Sequence, residues 1–280
     1  MPLMSGRLWV VATPLGNLGD FSSRAREIIE GCPVILAEDT RRTGRLLAAM
    51  QIDRPRMISF FEHNERNRLK QVVDLLESGS DVALLSDAGT PVVSDPGYRL
   101  VRTCHERGIR VSPVPGPSSP VAALSVSGLP ACPFTFLGFL PRRKGEVENL
   151  FLKWKDIWTT LVFFERKNRL EDTLRSAFAV MGDREYCVAR EMTKRFEEVI
   201  RGRLSSLDLP EEIQGEITVV LGPPGQASRT GRSQVEECLA RELAKGIKPR
   251  EAAKEVRKHV QGWTGKEIYA LVHDNNTGSK

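Results

Sequence analysis

Carboxylates, glycines and arginines recur in this chain directly after short apolar runs, a placement that suits chemistry at the ends of strands. The longest such stretch is residues 86–97, SDAGTPVVSDPG, entered from the β-formers of 82–85. Gly89 permits a ligand to approach the backbone closely, and Pro91 and Pro96 stiffen the loop. A strand ending this way in an α/β setting offers backbone amides beside a crevice. A plain connecting turn would use the same residues. Glu38-Asp39-Thr40-Arg41-Arg42 follows the apolar run 34–37. Two adjacent carboxylates and two guanidiniums suit a ligand site at a strand's carboxyl end, and Asp39 or Thr40 equally suits the cap of the next helix. His63 stands in the polar stretch after 57–61, where a neutral imidazole serves many roles. Ser118 and Ser119 follow the Pro-Gly loop 113–117 and open a small-residue helix, whose N-terminus can hold an anionic or carboxylate group or simply be capped.

The elements that must position these groups follow from periodicity. Short β-rich runs at 8–13, 34–37, 57–61, 82–85 and 110–114 read as strands. Between them lie helical patterns at about 22–30, after Asp39, at 69–76 and at 98–106. Alternation of this kind implies a parallel α/β domain. The loop after the first strand, PLGNLGD, lacks the GxGxxG dinucleotide fingerprint. Residues 127–130, SGLP, read as a linker. Beyond them, strands at 134–140, 160–164, 186–190 and 215–221, with a helix at 170–181 and a basic turn Arg142-Arg143-Lys144, imply a mixed sheet with fewer helices.

Residues 226–280 differ in kind. They hold eleven lysines and arginines against seven acidic residues. Apolar spacing marks helices around 235–243 and 252–260, the second entered at Pro249, and Thr264-Gly265-Lys266-Glu267 is a capping-box pattern before a third. The pair joined at Gln261-Gly262-Trp263 resembles a helix-turn-helix unit with cationic faces. The expected division is 1–126, 127–225 and 226–280.

The totals bound the rest. A length of 280 residues implies roughly two domains at about 150 residues each. With 40% hydrophobic and 28% charged residues the composition is that of a globular protein, and the net charge of +5 is compatible with a polyanionic partner. Five scattered cysteines without a CxxC pair argue for reduced thiols in a cytoplasm and against a zinc site. No apolar run approaches the ~20 residues of a membrane helix, and the N-terminus lacks a signal-peptide core.

Taken together, PLGNLGD, AEDTR, FFEHNE, SDAGTPVVSDPG, PGPSS, SGLP, FLGFLP, the REMTK segment and GEITVVL, in this order, resemble the 16S ribosomal RNA cytidine 2′-O-methyltransferases. That family lies within the tetrapyrrole-methylase-like, class III S-adenosylmethionine (SAM)-dependent fold. The resemblance implies two α/β domains, a parallel N-terminal and a mixed C-terminal sheet, a small helical tail, and a homodimer. It implies SAM held between the domains and methylation of a cytidine ribose in the decoding region of 16S RNA within the small ribosomal subunit. The SAM pocket is then expected at Asp87, Ala88, Gly89, Thr90, Val93, Ser118, Ser119, Ala189 and Thr218. The acceptor site is expected at Glu38, Asp39, Arg41 and Lys194, because a ribose hydroxyl is a weak acid that a base or cation assists. Arg42 and Arg190 are further phosphate candidates. RNA contacts are expected at His63, Arg142, Arg143, Lys248, Arg250, Lys254, Arg257, Lys258 and Lys266. Tetrapyrrole methylases proper carry Gly-Gly-Asp-Pro where this chain has Ala88-Gly89-Thr90-Pro91, with Asp87 upstream, which weakens transfer of their acidic contact. A role for a His after the Glu of FFE does not carry over, since Arg166-Lys167-Asn168 stand there. A tetrapyrrole C-methyltransferase is the alternative enzyme, disfavoured by the basic tail. An RNA-binding protein without catalysis is disfavoured by the intact SDAGTP and PGPSS loops.

Overall fold

The computed structural model describes residues 5–53, 55–225, 230–260 and 262–274, with side chains through 272; residues 1–4 and Gln261 of the expected helical join lie outside this set. The first sheet contains β1 (Arg7–Val11), β2 (Val34–Ala37), β3 (Arg56–Ser59), β4 (Val82–Leu85) and β5 (Arg110–Val114), in the order β3-β2-β4-β1-β5. All its pairings are parallel. All four residues of β2 and of β4 are buried, which is why both read as unbroken apolar runs rather than alternating ones. Helices α1 (Ser23–Gly31) and α2 (Thr40–Ala49) cover one face, where Ile29 and Leu47 pack with Ile35 and Leu85. Helices α3 (Glu65–Glu77) and α4 (Tyr98–Glu106) cover the other, where Leu76 and Leu100 pack with Leu36 and Leu84.

The strand order decides where a ligand can sit. From β1 the chain crosses toward β2 on one side; from β4 it crosses toward β5 on the other. Adjacent strands whose crossovers diverge leave a crevice at their carboxyl ends. The loops there are residues 12–22 and 86–97.

The second sheet holds β6 (Phe134–Phe139), β7 (Thr160–Glu165), β8 (Glu185–Arg190), β9 (Glu198–Arg203) and β10 (Ile217–Leu221), in the order β6-β7-β10-β8-β9. Only β6 and β7 pair in parallel, so the sheet is mixed. Helices α6 (Lys144–Trp154) and α7 (Leu170–Met181) bury Phe151 and Leu174 against one face. The other face is covered by α5 (Ser119–Ser127), whose Ala123 and Leu124 pack with Val162, Cys187 and Val220. The boundary drawn at residue 126 therefore runs through a helix that packs with the second sheet. Helix α6 joins the one helix read in this half, since Val147, Leu150, Phe151 and Trp154 recur at helical spacing, and with two helices to five strands the half still has fewer helices than the first.

Helices α8 (Arg232–Leu243), α9 (Pro249–His259) and α10 (Gly265–Asp274) form the tail. Val235, Leu239, Ala252, Val256, Ile268 and Leu271 close a core among themselves. The capping box forms as read: Glu267 N donates to Thr264 Oγ1 at 3.2 Å, and Thr264 N donates to Glu267 Oε2 at 2.7 Å. Among the described residues no helix is long and apolar enough to cross a membrane.

Candidate active site

A cleft of 840 Å³ opens at the crevice between β1 and β4, with the second sheet as its far wall. Its near wall is the 86–97 loop, and backbone geometry holds that loop in place. Thr13 N donates to Gly89 O at 2.9 Å and Gly89 N donates to Thr13 O at 3.0 Å, a single bridge across the switch point. The Gly89 amide is thus occupied and not offered to a ligand. What its glycine supplies is φ +81° and a close approach, since a Cβ there would stand 3.2 Å from Leu15 Cδ2. Thr90 Oγ1 donates to Pro117 O at 3.0 Å, which ties this loop to the start of α5. Val92 and Ser94 adopt φ of 74° and 67°. A β-branched residue rarely accepts that conformation, and strain of this kind gathers at ligand sites.

Five carboxylates line the cleft: Glu38, Asp87 and Asp95 from the first sheet's loops, and Glu165 and Glu216 from the far wall. Burial pushes Asp95 up to about 7, reinforced by the charges of Glu38 and Asp87. Burial also raises Glu38 and Asp87 above the ordinary carboxylate range. Backbone amides and one cation hold the group together. Asp87 N donates to Glu38 Oε2 at 3.4 Å, Asp39 N donates to Asp87 Oδ1 at 3.1 Å, and Arg42 pairs with Asp87 at 3.3 Å.

The four residues expected at the acceptor are not brought together. Glu38 lines the cleft. Asp39 caps α2, accepting from Arg41 N at 2.8 Å, and its carboxyl is lowered by the Arg41 hydrogen bond. Arg41 is 87% exposed and pairs back onto Asp39; Arg42, one residue on, takes the cleft position. Lys194 bonds Glu191 and Glu216, each at 3.0 Å. Burial draws its ammonium down, but these two partners outweigh burial and hold it above its usual value. A lysine so protonated is no base.

Asp87, Ala88, Gly89, Thr90, Val93, Ser118, Ser119 and Thr218 all line the cleft. Ala189 does not: it is fully buried on β8 in the core beneath α5. His63 is exposed and edge-on to Phe61, outside the lining. Arg190 pairs with Glu198 at 2.6 Å on the β8–β9 ladder. Arg142 and Arg143 stand exposed on the turn into α6, and Lys248, Arg250, Lys254, Arg257, Lys258 and Lys266 are exposed on the tail, where Lys258 bonds Glu255. Sequence reasoning passed over Asp95, although it is the second carboxylate of SDAGTPVVSDPG, and Phe139, Met192 and Glu216 on the far wall.

The tetrapyrrole (corrin/porphyrin) methylase family model matches residues 7–208. Ribosomal RNA small subunit methyltransferase I of Micromonospora olivasterospora is 39% identical across 94% of this chain and 87% of its own length. The Thermotoga maritima protein of that name is 47% identical across 77% of this chain and 98% of its own. The chain belongs to the ribosomal RNA small subunit methyltransferase I family, a branch of the tetrapyrrole methylases. This chain shares the fold of far more distant proteins. The methyltransferase CobJ superimposes with TM-score 0.61 at 16% identity, covering 81% of this chain and 98% of its own. A uroporphyrin-III C-methyltransferase of Thermus thermophilus, solved with S-adenyl homocysteine, superimposes with TM-score 0.55 at 18% identity, covering 78% and 97%.

This family uses SAM, and the cleft suits it. The side chain of Ser118 makes no capping bond to the first turn of α5, so its hydroxyl and that turn's amides can take an anionic carboxylate. The carboxylates Glu38, Asp87 and Asp95 suit cationic and hydroxyl groups. Apolar contact is available from Leu15, Val93, Met192 and Ile217.

Proposed function

We propose that this protein methylates the 2′-hydroxyl of a cytidine ribose in the decoding region of 16S RNA, within the small ribosomal subunit, acting in the cytoplasm as a homodimer. The observation that carries this reading is the extent of the likeness: it spans 94% of the chain against a ribosomal RNA methyltransferase, the basic helical tail included.

SAM supplies a methyl group already activated on a sulfonium, which leaves the protein to position the acceptor and handle one proton. The chain's own residues divide this work. Ser118, Ser119 and the 87–90 loop hold the donor. Asp95, pushed up to about 7 by burial and by the charges of Glu38 and Asp87, is a better acceptor for the hydroxyl proton than an ordinary carboxylate. Arg42 fixes Asp87 and stands at the cleft edge for a phosphate.

The test is to incubate the protein with radiolabelled SAM and, in parallel, bare 16S RNA, small subunits and uroporphyrinogen. Label is expected in RNA, in a nucleotide resistant to alkaline cleavage because its 2′-oxygen is blocked. Label in uroporphyrinogen alone would overturn the proposal. Sedimentation of the free protein checks the dimer.

A further inference from the structure

The parallel pair β6 and β7 carries an irregularity next to the cleft. Their register shifts between Phe136 and Phe139. In an unbroken strand, residues three apart point to opposite faces. Here both rings meet the same partner: Phe136 lies 5.0 Å from Phe164 and Phe139 lies 5.1 Å from it. The bulge therefore turns Phe139 onto the face of Phe164, which is the cleft face. Gly138 makes this possible with φ +66°, and a Cβ there would stand 3.0 Å from Ser94 Oγ in the strained near loop. Phe139 is left 62% exposed in spite of its place in the cleft lining. An apolar ring set out in water at this position gains nothing for the core.

Cations flank it on both adjoining loops. Because β6 and β7 run in parallel, the loops that leave them lie at the same end of the sheet. The loop after β6 carries Arg142 and Arg143, and Lys144 opens α6, all exposed. The loop after β7 carries Arg166 and Lys167, exposed and lining the cleft. Arg169 bonds the carbonyl of Pro141, which fastens the two loops together. The ion pairs Arg143–Glu146 and Lys144–Glu148 are long, 3.8 Å each, and exposed, so they hold these cations weakly.

We propose that Phe139 is a stacking platform for a base of the RNA substrate, with the flanking cations on that strand's phosphates. This rests on the RNA reading above. A ribose hydroxyl enters a cleft only when its nucleotide leaves the helical stack, and an unstacked base seeks an aromatic face. The bulge, the glycine and the ring's exposure together form that face, and the cations match a polyanion rather than an apolar protein partner.

The full-length protein, radiolabelled SAM and small subunits test this. Wild-type labelling of subunits comes first; its absence would overturn the RNA reading and this proposal with it, before any variant is compared. Phe139→Leu keeps apolar bulk and loses the aromatic face, so kcat/KM for subunits should fall roughly 10- to 100-fold while SAM affinity by calorimetry stays within about twofold. Phe139→Tyr should retain most of the activity. Unchanged kcat/KM in folded Phe139→Leu would overturn the proposal, and so would a parallel loss of SAM affinity, which would make the ring a cofactor contact. Should Phe139→Leu fail to fold, the double variant Arg142→Ala/Arg143→Ala decides: it should lower the log–log salt slope of subunit binding by about one to two units, and an unchanged slope would sink the idea.

Discussion

Asp95 stands half-buried beside Glu38 and Asp87, and its folded-state pKa of about 7 lies well above that of a free carboxyl. Two consequences follow, with opposite signs. If the trio accepts the hydroxyl proton, activity needs the ionised form, so the methyl-transfer rate under single turnover should climb as pH rises through about 7. Asp95→Asn should remove that limb. For stability, the folded protein binds the Asp95 proton more tightly than the unfolded chain does. Stability is therefore full below the unfolded pKa and falls as pH rises toward the folded one. Asp95→Asn should then melt higher than wild type at pH 8, by on the order of 1 kcal/mol after solvent screening, and show little difference at pH 4. A flat pH–rate profile together with an unaltered melt at pH 8 would contradict this account. The sequence shows that carboxylates follow β2 and β4. It does not show which of Glu38 and Asp39 enters the cleft, because neighbouring residues leave a strand end in different directions and the helix cap claims one of them. Asp95 was equally hidden: what distinguishes it is burial, which depends on distant chain.

At the scale of elements, the two walls of the cleft meet through Lys194. A Cβ on Gly16 would stand 2.3 Å from Lys194 Cγ, so the lysine's stem crosses the bare glycine. Its ammonium bonds Glu191 and Glu216, while Asn17 N donates to Thr193 Oγ1 at 3.2 Å. Glu191 and Thr193 take φ of 49° and 66°, so this loop too is held under strain. We therefore read Lys194 as a clasp between the 14–20 loop and the second sheet, a positioning residue rather than a catalytic one. Lys194→Ala should weaken SAM binding several-fold and lower the melting temperature, whereas Lys194→Met, which keeps the stem, should recover most of the SAM affinity. Equal loss in both variants would assign the effect to charge instead. Strands β2, β4 and β5 and helices α4 and α7 sit where their apolar periods place them, because each is bounded by glycine, proline or a cap. The bulge in β6 was illegible, since a bulge exists only relative to a partner strand. The same holds for the pairing of α5 with the second sheet: its run of small apolar residues fits either side of a linker.

At the scale of the whole molecule, the tail's core closes on itself through Val235, Val256 and Ile268. That arrangement favours a separate functional unit over a lid for the second sheet, and it makes removal a clean experiment. Lys248, Arg250, Lys254, Arg257 and Lys266 are exposed around that core. Each cation that displaces a counterion from RNA adds roughly 0.7–0.9 to the magnitude of the log–log salt slope. A protein truncated after Gly225 should thus bind small subunits more weakly at low salt and with a slope lower by about three or more units. Its SAM affinity should be intact, because among the described residues none beyond Thr218 lines the cleft. A tail that merely shields apolar surface would give the reverse pattern: an aggregating truncation whose soluble fraction binds subunits with the full slope. The two outcomes separate even if both lower total activity, because the slope counts phosphates engaged and is indifferent to how much protein survives.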